Sequence, residues 1–172
     1  MRYFAYGSNM LTARLARRVP SARPLGAARL PGHVLRFHKR GDDGSGKCNA
    51  LSTGGGGDVV HGVLFEVDGD RLDRLHAAEG PGYAFDEVEV DAGGETLPAV
   101  TYRARSAWLD DALAPYTWYQ AFVVAGAREH GLPPDYVTAI ENVFARRDPN
   151  LWRHLRNRWI RGRGPRAAAG TR

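Results

Sequence analysis

The chain has 172 residues, 43% of them hydrophobic, which suits one domain with a substantial core and excludes a disordered chain. A single cysteine, Cys48, excludes an internal disulfide and a cysteine-rich metal site, and the six histidines lack zinc-site spacing. The net charge of +5 rests almost wholly on arginine, Lys39 and Lys47 being the two lysines, and no run is apolar enough to span a membrane.

The elements read as follows in chain order. Tyr3–Tyr6 forms a short aromatic strand, entered at once without the apolar stretch of a signal peptide, so a cytoplasmic location is expected. Gly7-Ser8-Asn9 breaks it, and Met10–Arg18 is helical, with Asn9 able to cap it and Pro20 ending it. Two strands, 25–30 and 34–39, flank Pro31-Gly32, and a polar loop over 41–46 leads to a short strand at 49–53. Val59–Val67 is the clearest strand, with Val59, Val63, Phe65 and Val67 on one face. A helix over 69–78 buries Leu72 and Leu75 before Gly80-Pro81-Gly82 turns the chain. Strands 85–90 and 99–103 form a hairpin across Ala92-Gly93-Gly94.

After Pro115 the pattern is helical. Tyr119, Phe122, Val123 and Gly126 share a face, and Gly131 stops the helix. Pro134 starts a second helix running to about Arg147, and Trp152, Leu155 and Trp159 mark a third. The order implies an α+β domain over 1–150, followed by a basic extension over 151–172 whose last dozen residues are disordered.

Three features carry chemistry. The strand–turn–helix at Tyr6-Gly7-Ser8-Asn9 offers free N–H groups that favour an anion, although an ordinary Asn-capped helix has the same pattern. Glu79 falls on the side of its helix marked by Leu75 and sits at the helix C-terminus, where burial and the macrodipole both oppose its negative charge. A carboxyl group so poised can take and return a proton near neutrality, whereas a frayed helix end would leave it an ordinary surface residue. Tyr6, Tyr83, Tyr119 and Tyr136 can each set a phenol beside an apolar wall. Ser8 lacks flanking His and Asp partners and is assigned to binding.

Together these residues resemble the γ-glutamylcyclotransferase superfamily, in its bacterial, AIG2-like branch. Tyr3-Phe4-Ala5-Tyr6-Gly7-Ser8-Asn9 is similar to its signature loop, and Glu79-Gly80 to its catalytic Glu-Gly. Tyr83–Val90 is similar to the strand that follows, and Tyr119 through Tyr136 to the C-terminal helix pair. Phe37-His38-Lys39-Arg40 and the segment Asp43–Asn49 resemble bacterial members in particular. The similarity runs over residues 1 to 145. Val60-His61-Gly62-Val63 departs from a common Val-Trp-Gly-Val strand, and the run Gly54–Gly57 is peculiar to this chain.

The resemblance implies a compact mixed β-barrel of about six strands flanked by helices. It implies that Gly7, Ser8 and Asn9 bind the γ-glutamyl head, that Glu79 is the general acid/base, and that Tyr6, Tyr83, Tyr119 and Tyr136 line the pocket. The implied reaction closes a γ-glutamyl amide into 5-oxoproline and frees the amine, with neither cofactor nor metal. The expected partner is a small γ-glutamyl substrate, with no nucleic acid and no membrane. Removal of a γ-glutamyl cap from a biosynthetic amine or a carrier-protein-bound intermediate is the alternative within the same chemistry. A catalytically silent binding module on the same fold, or a nucleic-acid contact through the arginine-rich tail, are the alternatives outside it.

Overall fold

The computed structural model describes residues 1–69 and 72–161. Among the described residues seven strands and five α-helices follow one another as β1 (Arg2–Ala5), α1 (Thr12–Arg18), β2 (Arg23–Pro31), β3 (His33–Arg40), β4 (Gly46–Ser52), β5 (Val59–Glu66), α2 (Leu72–Glu79), β6 (Tyr83–Ala92), β7 (Glu95–Ala104), α3 (Thr117–Glu129), α4 (Pro134–Glu141) and α5 (Leu151–Arg161). β1, β5, β2, β6 and β7 close into a barrel in that order, and β3–β4 forms a separate two-stranded sheet. The barrel therefore has five strands rather than six, because β3 leaves it after Pro31 and forms its own sheet with β4. Within the barrel the strands pair antiparallel except at the seam, where Tyr3 of β1 meets Val100 of β7 in parallel.

β5 links the N-terminal strand to β2 in the barrel. It pairs with β1 on one edge and β2 on the other, and Val60, Val63, Leu64 and Phe65 are all buried. The sequence pattern marked one buried face, but closure and helix cover bury both. Phe4, Phe65, Leu15, Met10 and Phe122 fill the core between barrel and helices.

Two glycines position the site. Gly80 has φ +71 and ends α2 directly after Glu79, a left-handed conformation that costs a glycine little. Gly126 lies on the inner face of α3, where a Cβ would sit 2.4 Å from the backbone nitrogen of Leu11 and 2.6 Å from Met10. Its bare backbone lets α3 press onto the turn that follows β1.

Several helix expectations need correction. Asn9 makes no capping hydrogen bond; a short 3-10 turn over Ser8–Met10 precedes α1, and its side chain is used elsewhere. α4 ends at Glu141 rather than near Arg147, and Gln120 of α3 donates to the carbonyls of Ile140, Glu141 and Val143 where it stops. α5 is present, but Trp152 is 84% and Leu155 47% exposed, while His154 and Asn157 face inward. α5 is anchored instead by Asp148, which accepts from Trp118 Nε1 at 2.8 Å and Arg153 Nε at 2.6 Å. The expectations for the side chains of Leu72 and Trp159, and for residues 162–172, fall outside the described residues.

Candidate active site

A small cleft is lined by Tyr3, Tyr6, Gly7, Ser8, Asn9, Cys48, Glu79, Tyr83, Tyr102 and Tyr119. Residues from β1, β4, α2, β6, β7 and α3 meet there. Most sequence-predicted site residues are therefore brought together. Tyr136 is not among them: it sits on α4 with its ring 4.8 Å from that of His61, and its buried hydroxyl has no partner among the described residues.

Glu79 occupies the last position of α2, and its side chain is 14% exposed. Leu75, fully buried one turn earlier, fixes the helix against the core. Glu79 Oε1 accepts from Asn9 Nδ2 at 2.7 Å and from Arg18 Nη1 at 3.1 Å. The second oxygen, Oε2, has no partner among the described residues. The amide of Asn9 and the guanidinium of Arg18 thus fix the orientation of the carboxylate. Asn9 itself is fully used: Nδ2 also donates to the Tyr3 hydroxyl at 3.0 Å, and Oδ1 accepts from Arg18 at 3.0 Å. Its side chain thus orients the carboxylate, and its peptide N–H is what remains to face a ligand.

The turn after β1 supplies donors. Met10 N–H bonds Gly7 carbonyl at 3.0 Å, whereas the N–H groups of Gly7, Ser8 and Asn9 find no acceptor among the described residues. Such consecutive free donors suit a carboxylate. Ser8 Oγ accepts from Arg14 Nε at 3.1 Å, which leaves its own proton to donate. The Arg14 guanidinium packs over the Phe122 ring, and burial, then neighbouring Arg18, lowers its pKa to about 10.

Two tyrosines hold Cys48, which lies against Gly7. Tyr119 hydroxyl accepts from Cys48 N–H at 3.1 Å, and Tyr83 hydroxyl donates to Cys48 carbonyl at 2.7 Å. The Cys48 peptide is thereby clamped on both sides, fixing β4 to the barrel. Tyr6 donates to Tyr102 carbonyl, and Tyr102 hydroxyl bonds His76 Nδ1 at 2.8 Å. Burial pushes all five cleft phenols well above the ordinary tyrosine range, so each remains a neutral hydroxyl. Burial likewise pushes the Cys48 thiol up to about 12, which removes it as a nucleophile at neutral pH.

Tyr3, Cys48, Tyr102, Arg14 and Arg18 were not foreseen as site residues. Tyr3 lies three residues before Tyr6, on the other face of an extended strand, so alternation gave no signal for it. Arg18, Cys48 and Tyr102 had none, because only the fold brings α1, β4 and β7 to the cleft.

The family model for "Gamma-glutamyl cyclotransferase, AIG2-like" matches residues 3–121. The chain belongs to the γ-glutamyl cyclotransferase, AIG2-like family. The matched stretch contains every residue that lines the cleft. The chain is 32% identical over 149 residues to a protein from Homo sapiens named γ-glutamylcyclotransferase, covering 82% of this chain and 77% of that one. It is 30% identical over the same length to the Bos taurus protein of that name, with the same coverage. A solved structure titled γ-glutamyl cyclotransferase superposes with a TM-score of 0.78 at 28% identity, over 85% of this chain and 89% of the other. The family resemblance of the Tyr6–Asn9 turn and of Glu79 thus coincides with a fold shared across most of the chain. No helix among the described residues is long and apolar enough to cross a membrane.

Proposed function

We infer that this protein is a γ-glutamylcyclotransferase: it cyclises a γ-glutamyl amide to 5-oxoproline and releases the amine, with Glu79 as general acid/base. The observation that carries this reading is the free Oε2 of Glu79 in the same cleft as the unpartnered N–H groups of Gly7, Ser8 and Asn9. The N–H groups and the Ser8 hydroxyl receive the substrate's α-carboxylate. That anchors the α-amine within one five-membered ring of the δ-carbonyl carbon, so attack is intramolecular and needs only the right rotamer.

Glu79 takes a proton from the α-ammonium, and the freed amine forms a C–N bond to the δ-carbon. The developing oxyanion accepts hydrogen bonds from neutral phenols of the cleft wall, such as Tyr3, whose O–H finds no acceptor among the described residues. The tetrahedral intermediate collapses by breaking the bond to the original amide nitrogen. Glu79 returns its proton to that nitrogen as it departs and carries the second proton of the ring nitrogen the same way, so the lactam keeps one N–H and the amine leaves as its ammonium ion. No water is consumed and no acyl-enzyme forms, which agrees with the neutral Cys48 and the absence of a base beside Ser8.

The test is incubation with a panel of γ-glutamyl amides and mass spectrometry for 5-oxoproline, for the wild-type protein and Glu79→Gln. The expected result is 5-oxoproline from the wild type and almost none from the variant. Comparable turnover by Glu79→Gln overturns the role of Glu79, and no product from any amide overturns the reaction.

A further inference from the structure

α5 turns its apolar side outward. Leu151, Trp152 and Leu155 are exposed, Trp152 most of all, whereas the polar side chains of His154 and Asn157 are buried. At spacings of one, three and four residues the three apolar positions are neighbours on one side of the helix. A surface helix ordinarily has the reverse arrangement, with its apolar stripe on the core. Polar contacts at the start of α5 fix the inversion. Arg153 donates to both oxygens of buried Asp148, Nε to Oδ2 at 2.6 Å and Nη2 to Oδ1 at 2.7 Å, and its guanidinium lies 5.5 Å from the centre of the Tyr116 ring. Asp148 also accepts from Trp118 of α3, and Asn157 Nδ2 donates to the Arg153 carbonyl at 2.9 Å. Rolling α5 to bury Trp152 would break this set and strip a buried carboxylate of its cation.

The charge around the exposed face has one sign. Arg156 is exposed beside Leu155, as are Arg146 and Arg147 in the segment that leads into α5. From Pro149 to Arg172 the sequence holds seven arginines and neither aspartate nor glutamate. The acid just before that stretch, Asp148, is buried and already paired with Arg153. The surface that fits this face therefore offers phosphate to the guanidinium groups and an apolar layer to the indole and the leucines. Arginine pairs with phosphate in a fork, and tryptophan settles at the headgroup level of a bilayer. A second copy of α5 would set like charges against each other, and nucleic acid offers phosphates without an apolar partner for Leu151 and Leu155.

We propose that α5 docks this protein on an anionic lipid surface. Leu151, Trp152 and Leu155 enter the headgroup boundary, and the arginines around them meet lipid phosphates. The helix lies in the plane of the surface, since its 11 residues are too few to span a bilayer. The proposal replaces the sequence-based expectation of no membrane partner, and it stands apart from the cyclisation reading, because no residue of α5 lines the cleft.

The experiment is flotation of the full chain with vesicles of phosphatidylcholine alone or mixed with phosphatidylglycerol, at low and at high salt. The protein should float with the mixed vesicles, stay behind with pure phosphatidylcholine, and come off the mixed vesicles as salt rises. Trp152→Ser combined with Leu155→Ser, both at exposed positions, should keep the wild-type Tm and weaken vesicle binding by about 10-fold or more. Arg156→Glu should weaken it by a smaller factor. No flotation with the mixed vesicles overturns the proposal, and so does equal flotation with both kinds. Undiminished binding by the double variant removes α5 as the contact. A dimer in sedimentation that the double variant dissociates, or a salt-sensitive complex with RNA or DNA, in either case without vesicle binding, gives the face to another occupant and overturns the proposal as well.

Discussion

Asn9 Nδ2 and Glu79 Oε1, seventy positions apart in the chain, lie 2.7 Å from each other. The pair joins the turn that would bind substrate to the group that would move the proton, so neither can shift without the other. Asn9→Ala should therefore lower kcat about 10- to 100-fold by freeing the carboxylate to rotate, with a smaller change in KM. Steady-state kinetics on a γ-glutamyl amide checks this; a change confined to KM would show that the pair does not orient the base.

Glu79→Gln keeps an oxygen able to accept from Asn9 and Arg18, so the variant should fold with a near wild-type Tm. Its kcat should fall by roughly 10²–10⁴-fold, the usual contribution of a positioned acid/base. Circular dichroism and a 5-oxoproline assay separate the two effects.

Tyr119→Phe removes the acceptor of the buried Cys48 N–H. An unsatisfied buried donor costs about 1–3 kcal/mol, so denaturant unfolding should record a loss of that size as well as slower turnover. A variant as stable as wild type would mean that β4 finds another partner for that N–H.

Asp148 gives a pH dependence with a defined sign. Burial raises its pKa, but hydrogen bonds from Arg153, Trp118 and the Asn150 backbone outweigh that and hold it down to about 2. A carboxyl depressed in the folded state stabilises the fold above its unfolded value near 4, and that stability is lost as pH falls from about 4 to 2. Asp148→Asn should be less stable than wild type at pH 7, and the difference should shrink over that window. Thermal melts across the pH range measure it; a constant difference would separate α5 anchoring from this charge.

Much of the fold was legible because strands and turns announce themselves locally. The hairpin β6–β7 follows from a Gly-Gly turn between alternating runs, and α3 from a face repeated every third or fourth residue. What the sequence could not show is which strands share a sheet. β2 and β3 are separated by one residue yet enter different sheets, a choice made by long-range pairing with β5 and β4. The same limit governs the site. Glu79 and the Gly7–Asn9 turn carry local patterns, whereas Arg18 and Tyr102 are ordinary in sequence and gain their place only when the barrel closes. Tyr136 shows the converse: a tyrosine in a recognisable segment, set by the packing of α4 against His61 rather than at the cleft.

The barrel seam has a kinetic consequence. β1 and β7 meet in parallel across almost a hundred positions, Tyr3 opposite Val100, and the cleft further requires Tyr119. A nascent or cleaved chain lacking α3 lacks the Tyr119 side of the pocket, and closing so long a loop is slow compared with forming any single hairpin. Catalytic competence should consequently emerge at the end of refolding, lagging behind the recovery of β-sheet signal.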